Sequence, residues 1–115
     1  MNEPVTLINM FTVPSEESER FLDRWKDTAQ ILTSIMAGQP GFVRARLYRS
    51  LTDDAELRFI NVSEWDSGNA LDAARADPEW RAAVQQLIDD PELHVSARPG
   101  VYQLAVDVHP GDVDR

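Results

Sequence analysis

Leu57-Arg58-Phe59-Ile60-Asn61-Val62-Ser63-Glu64-Trp65-Asp66-Ser67 is dense in β-branched and aromatic residues, which predicts a strand. Side chains alternate between the faces of a strand, so Phe59, Asn61, Ser63 and Trp65 share one face. Ile60 and Val62 take the other, flanked by Arg58 and Glu64. Asp66-Ser67-Gly68-Asn69 breaks the strand and can cap a following helix. If both faces are covered, an amide, a hydroxyl and an indole project inward. That is unusual chemistry for a core and reasonable chemistry for a pocket.

Working outward, the strand has partners on both sides in sequence. Upstream, Val43, Ala45 and Leu47 alternate with Arg44, Arg46 and Tyr48, which predicts a strand over Phe42–Leu51. Two arginines on one face suggest an edge strand or a wet surface. The polar turn Thr52–Glu56 makes the two strands a hairpin. Val5–Val13 reads as a further strand, with Leu7, Asn9, Phe11 and Val13 on one face and Thr6, Ile8, Met10 and Thr12 on the other. Both faces are largely apolar, which predicts a central strand covered on both sides.

Helical signals fill the gaps. Phe21, Trp25, Ala29, Leu32 and Met36 recur at helical spacing, which predicts a long helix over Ser15–Ala37 with Ser15 as N-cap. Gly38 is expected as its left-handed C-cap and Pro40 as its stop. Ala70, Leu71, Ala73 and Ala74 suggest a short helix. Asp77 then caps a second piece with Pro78 in its first turn and Trp80, Val84, Leu87 and Ile88 as its apolar stripe. The last strand is expected over Val101–Val108, with Pro99-Gly100 bending or bulging whatever precedes it. The order β-α-β-β-α-β is the ferredoxin-like α+β pattern, an antiparallel sheet in the order 4-1-3-2 with helices on one face. Residues 1–109 form one expected domain, and residues 110–115 an acidic tail. The uncovered sheet face still carries apolar side chains, so a homodimer is expected.

Composition removes several functions. The chain has 115 residues, 43% hydrophobic, with a net charge of -9 and no cysteine. Disulfides, thiolate catalysis and cysteine metal sites are excluded. The acidic balance disfavours nucleic acid and anionic membrane as partners. No apolar run is long enough for a membrane span and no signal-peptide pattern opens the chain, which fits a cytoplasmic protein. The histidines, His94 and His109, have no metal-site spacing and read as surface residues, and Arg44 and Arg46 as solvated or interface residues.

Taken in order, Ile8-Asn9-Met10-Phe11, a long helix, Gln39-Pro40-Gly41-Phe42, Arg49-Ser50-Leu51, Phe59 to Ser67, a short helix and Asp77-Pro78-Glu79 resemble the antibiotic-biosynthesis monooxygenase family of dimeric α+β barrels. The resemblance spans roughly residues 5 to 107. Its Pro-Gly-Phe turn and Trp-Asp-Ser strand end specify the fold well and the reaction poorly. One branch resembles quinone-forming anthrone oxygenases. That branch implies O2 as co-substrate, no metal, flavin or haem, and a polycyclic phenol whose anion reduces O2 directly.

Under this resemblance Asn61 and Trp65 would be catalytic, Trp65 as a flat wall and N–H donor and Asn61 as an amide donor to an enolate or peroxide oxygen. Asn9 would support them. Phe59, Ser63 and Leu71 would complete the substrate-binding set, Leu71 standing where that branch carries a tyrosine. A cationic arginine is implied later in the same region. Arg75 and Arg81 are the options, with Arg81 taken as the counter-charge. A haem-degrading branch shares the asparagine on the first strand and the tryptophan closing the third. It needs a histidine on the second helical region, and Asp66–Asp90 contains none. A non-redox binder, cyclase or isomerase of the same pathway type is the other alternative.

Each inward residue also has a structural reading. Trp25 and Trp80 lie on helical apolar stripes and read as core. Trp65 could equally fill core. Asn9 and Asn61 could bond to backbone, although an unsatisfied buried amide costs ~1–3 kcal/mol.

Overall fold

A computed structural model describes residues 3–51 and 56–111, without the side chains of residues 32, 36, 37, 56 and 57. The expected turn after Leu51, the Leu32 and Met36 members of the helical stripe, and residues 112–115 of the tail lie outside that description.

The chain runs β1 (Val5–Pro14), a 3-10 turn (Ser15–Glu17), α1 (Ser18–Ala37), β2 (Phe42–Arg49), β3 (Glu56–Trp65), α2 (Gly68–Arg75), α3 (Pro78–Ile88) and β4 (Ser96–Tyr102). The sheet is antiparallel in the order β2-β3-β1-β4. The fold is the ferredoxin-like α+β pattern, and β1 and β3 are its central strands. Among the described residues, no helix is long and apolar enough to cross a membrane.

Two helix starts follow their sequence signals. Ser67 Oγ accepts the Ala70 N–H at 3.1 Å, capping α2. Asp77 Oδ1 accepts the N–H groups of Glu79 and Trp80 at 2.8 and 3.3 Å, capping α3. Its other oxygen accepts Gln39 Nε2 at 2.9 Å, which ties the α1–β2 connection to α3.

Four local expectations are corrected. Ser15 does not cap α1; it lies inside the 3-10 turn that precedes it. Gly38 is not left-handed, whereas Gly41 is, at φ 91°. A Cβ on Gly41 would also overlap the Asp66 carboxylate and the Ala70 Cβ. Its carbonyl accepts the Asp66 N–H at 2.9 Å, so only glycine fits where this turn crosses the end of β3. Val43 does not face inward with Ala45 and Leu47. The register slips between Phe42 and Arg44, so Val43 is an extra residue left exposed, and Phe42 takes the inward place beside Trp65. Finally, β4 is Ser96–Tyr102, not Val101–Val108, and Pro99-Gly100 runs through it without a break in register. Pro99 is tolerated because β4 is an edge strand.

Alternate residues of β1 and β3 meet the helices in two clusters. At one end Val5, Leu7, Trp65, Leu71, Ala74, Trp80 and Ala83 pack together. At the other end Phe11, Val13, Phe21, Phe59, Leu87 and Leu93 do so. Each fully buried large side chain contributes ~1.5–3 kcal/mol. The opposite sheet face carries half-buried Ile8, Met10, Ile60 and Val62. Arg44 pairs with Glu64 there at 2.6 Å and Arg46 approaches it at 3.7 Å. Arg44 holds the Glu64 carboxyl below the usual range through that hydrogen bond.

Candidate functional site

The antiparallel register puts Asn9 directly opposite Asn61, midway along the longest ladder. Two residues along β1 in one direction is Leu7 and in the other Phe11, both buried. Along β3 the flanking same-face residues, Phe59 and Ser63, are buried too. The two amides therefore interrupt an otherwise closed apolar face at one level. Each has a buried side-chain oxygen with no hydrogen-bond partner. An unsatisfied buried acceptor costs ~1–3 kcal/mol, and two face each other here.

Above them lies a cavity of about 310 Å³. Leu7, Asn9, Phe11 and Asn61 form its floor, Ala97 and Pro99 of β4 one side, Trp25 and Thr28 of α1 another, and Trp80, Val84, Leu87 and Ile88 of α3 the roof. Arg75, in the last turn of α2, lines it as well. Among the described lining residues Arg75 carries the charge, and it has no ion-pair partner among them. A guanidinium beside a largely apolar cavity suits an anionic oxygen. A second cavity of about 230 Å³ lies beside the first, between α1 and β2, and shares Trp25 and Asn61 with it.

The expected site residues separate into two groups. Asn9 and Asn61 come together in the cavity floor. Phe59, Ser63, Trp65 and Leu71 are buried in the cores and do not line either cavity. Phe59 packs on Phe21 at 4.7 Å between ring centroids. The Trp65 indole lies against Phe42 and Trp80, at 5.2 and 5.7 Å, and its N–H donates to Ser63 Oγ at 3.1 Å. The strand's own hydroxyl thus takes the hydrogen bond expected to reach a ligand. Arg81 is exposed on α3 and does not line the cavity; the alternative, Arg75, does.

Trp25, read from its stripe as core, is a half-buried cavity wall, whereas Trp80 is core as expected and lines the cavity as well. A signal for Trp25 was present. Thr28, Ala29 and Thr33 surround it on the sheet-facing side of α1, where a filled core would call for large apolar side chains. His94 sits elsewhere, with Nδ1 2.7 Å from Glu17 Oε2.

Residues 4–86 match the model of the antibiotic biosynthesis monooxygenase family. The chain belongs to that family, and its class of activity is monooxygenation. Its structure is similar to that of SnoaB, a cofactor-independent oxygenase from Streptomyces nogalater, with 29% identity, a TM-score of 0.69, and coverage of 94% of this chain and 98% of that one. A candidate monooxygenase from Shewanella loihica PV-4 is similar at 28% identity and a TM-score of 0.67, covering 93% of this chain and 99% of that one. A Caulobacter crescentus protein at 16% identity and a TM-score of 0.68, covering 91% and 92%, shares the fold. No curated protein sequence is significantly similar to the chain.

Proposed function

We propose that the protein oxidises a polycyclic, anthrone-like phenol to a quinone with O2 and no cofactor, as a step in polyketide secondary metabolism. The observation that carries this reading is the facing pair of unpartnered amides, Asn9 and Asn61, in the floor of an apolar cavity with Arg75 at its side. The similarity to a cofactor-independent oxygenase supports it.

The overall change is a ring CH2 plus O2 giving a ring C=O plus water. A ring carbon loses its proton to give a delocalised anion. That carbon forms a bond to O2, the peroxide anion takes back the proton removed in the first step, and the resulting hydroperoxide loses the second hydrogen of the carbon together with hydroxide, as water. The carbon is oxidised and both O2 oxygens are reduced. The protein's work is to hold the flat ring, favour the anion and guide the peroxide. Carboxamides offer both an acceptor for the phenol O–H and donors for the oxygen anion that replaces it. Preorganised donors of this kind contribute most in a water-poor site. Arg75 supplies the counter-charge in place of Arg81. Trp65 acts as a positioning residue, backing the Trp80 wall.

The working form is a homodimer. A second copy covers the open sheet face, and the exposed apolar side chains Leu104, Val106 and Val108 add to the contact. The interface is of obligate size, roughly 2,000 Å² or more. A 13 kDa species in sedimentation at micromolar concentration would remove the dimer from this reading.

The test is O2 uptake by purified protein given anthrone, with a chelator present and no added flavin or haem. Stoichiometric O2 consumption with quinone formation is expected. Ring conversion without O2 uptake would replace oxygenation by a cyclase or isomerase role. Dependence on added haem would move the reading to the haem-degrading branch.

A further inference from the structure

We infer that Trp25 is the length gauge of this site, a movable partition dividing one long cleft into two chambers. The inference rests on the reading above that the ligand is a flat polycycle.

Asn61 and Trp25 are the residues common to both cavities. Asn61 belongs to the sheet floor, so the floor is continuous from one chamber to the other. Trp25 belongs to α1, so what separates them is a side chain reaching down from the helix. On one side that indole rests on Phe11 and Phe21, at 5.4 and 6.2 Å between ring centroids. Behind it, Ala29, Thr33 and Ala45 leave the second chamber open. An end wall backed by packed core is rigid. An end wall backed by a cavity can turn about its two side-chain torsions without displacing backbone. Trp25 is accordingly only half-buried, while Phe21 and Phe59 beside it are sealed.

Size gives the partition its consequence. The first chamber alone, at about 310 Å³, stands at the lower limit for small-molecule sites of roughly 300–1,000 Å³. With the second chamber joined to it, the site lies well inside that range. A three-ring ligand fits the first chamber with Trp25 in place. A fourth ring in line must enter the second chamber and displace the indole. Both ligands keep Asn61 beneath them, so length is gauged without changing the reacting position.

The experiment measures binding of 9,10-anthraquinone, with three rings, and 5,12-naphthacenequinone, with four, by equilibrium dialysis. Turnover of the matching anthrone and naphthacenone is followed in parallel. Wild type should prefer three rings. Trp25→Leu keeps an apolar cover over Phe11 and shortens the wall. It should shift the affinity ratio toward four rings by about tenfold or more, the scale on which an added group discriminates in an apolar pocket. Adding Ala29→Leu should refill the second chamber and return the ratio toward wild type. Trp25→Phe, the milder change, should move the ratio the same way by less, and it carries the test if the leucine variant fails to fold. Equal weakening of both ligands would make Trp25 a stacking surface and overturn the gauge. So would a gain that survives Ala29→Leu. If wild type binds neither ring system, the polycycle reading itself fails; if it binds three rings and the ratio never moves, only the gauge fails.

Discussion

The helix-covered face of the sheet is built in two ways. At its ends, inward side chains find partners within the chain: Phe59 meets Phe21, and the Trp65 N–H meets Ser63. At its middle, Asn9 and Asn61 face each other with buried oxygens that have none. The same two strands supply both regions. The difference is therefore not in secondary structure but in whether polar and apolar demands are met within the chain. Ends that satisfy themselves hold the fold. A middle that does not is where the reading proposed above places the ligand.

The sharpest way to break that contrast is to exchange the roles in one strand. Phe59 is fully buried in the Phe-rich end. Phe59→Ala should lower stability by ~3–5 kcal/mol, a melting drop of more than about 10 °C. Turnover per folded molecule should change little. If the melting temperature holds and turnover collapses, Phe59 belongs to the site and the division into ends and middle is wrong.

Two positions further along, Asn61→Ala should do the reverse. Loss of an amide directed at a developing oxygen anion lowers turnover by ~10²–10³-fold, or ~3–4 kcal/mol of barrier. Because the Asn61 oxygen has no partner in the free protein, no internal hydrogen bond is lost. The melting temperature should hold or rise. Asn61→Leu should raise it further, as happens where function keeps a site below its stability optimum. A large melting drop with unchanged O2 uptake would make Asn61 a structural amide.

Much of this was legible in the sequence, and the limits have physical causes. Strand order followed from the β-α-β-β-α-β pattern, and the apolar residues on both faces of β1 agree with its central place. Asn9 and Asn61 stood out because an amide among inward apolar residues conflicts with burial. That they face each other needed the register, which alternation alone does not set. Whether Trp65 and Phe59 would line the cavity or sit behind it was not legible, because a large aromatic on an inward face looks alike in a wall and in a core. The end of the sheet was displaced because Tyr102 to Val108 alternate well. An alternating segment still needs a neighbour, and β1 begins at Val5. Continuing the register that pairs Tyr102 with Thr6 would set Leu104 against Pro4, which has no N–H to donate.

A smaller effect tests whether Trp65 belongs to its end or to the middle. Trp65→Phe keeps most of the apolar volume and removes the N–H, leaving Ser63 Oγ without its donor. A stability loss of ~0.5–1.5 kcal/mol is expected from that hydrogen bond. Turnover should fall less than threefold. A loss of turnover on the scale of Asn61→Ala, with melting unchanged, would return Trp65 to the site as a donor to ligand.

The smallest effect concerns how the Phe-rich end is fastened at its rim. Glu17, buried in the 3-10 turn, accepts the His94 backbone N–H and meets the His94 ring, each at 2.7 Å. The hydrogen bond with the His94 side chain, helped by the backbone N–H and opposed by desolvation, holds the Glu17 carboxyl below its ordinary value of 4.5. A carboxyl lowered on folding binds protons more weakly in the native state. Its contribution is therefore complete above pH 4.5 and is lost as pH falls through the lower native value. Glu17→Gln should lower the melting temperature slightly near neutrality and flatten the acid limb of its pH dependence. Amide exchange should first quicken on acidification around His94, while the Trp-rich end keeps its protection. An acid limb unchanged in the glutamine variant would show that this rim contact contributes nothing, and that the Phe-rich end is held by its apolar packing alone.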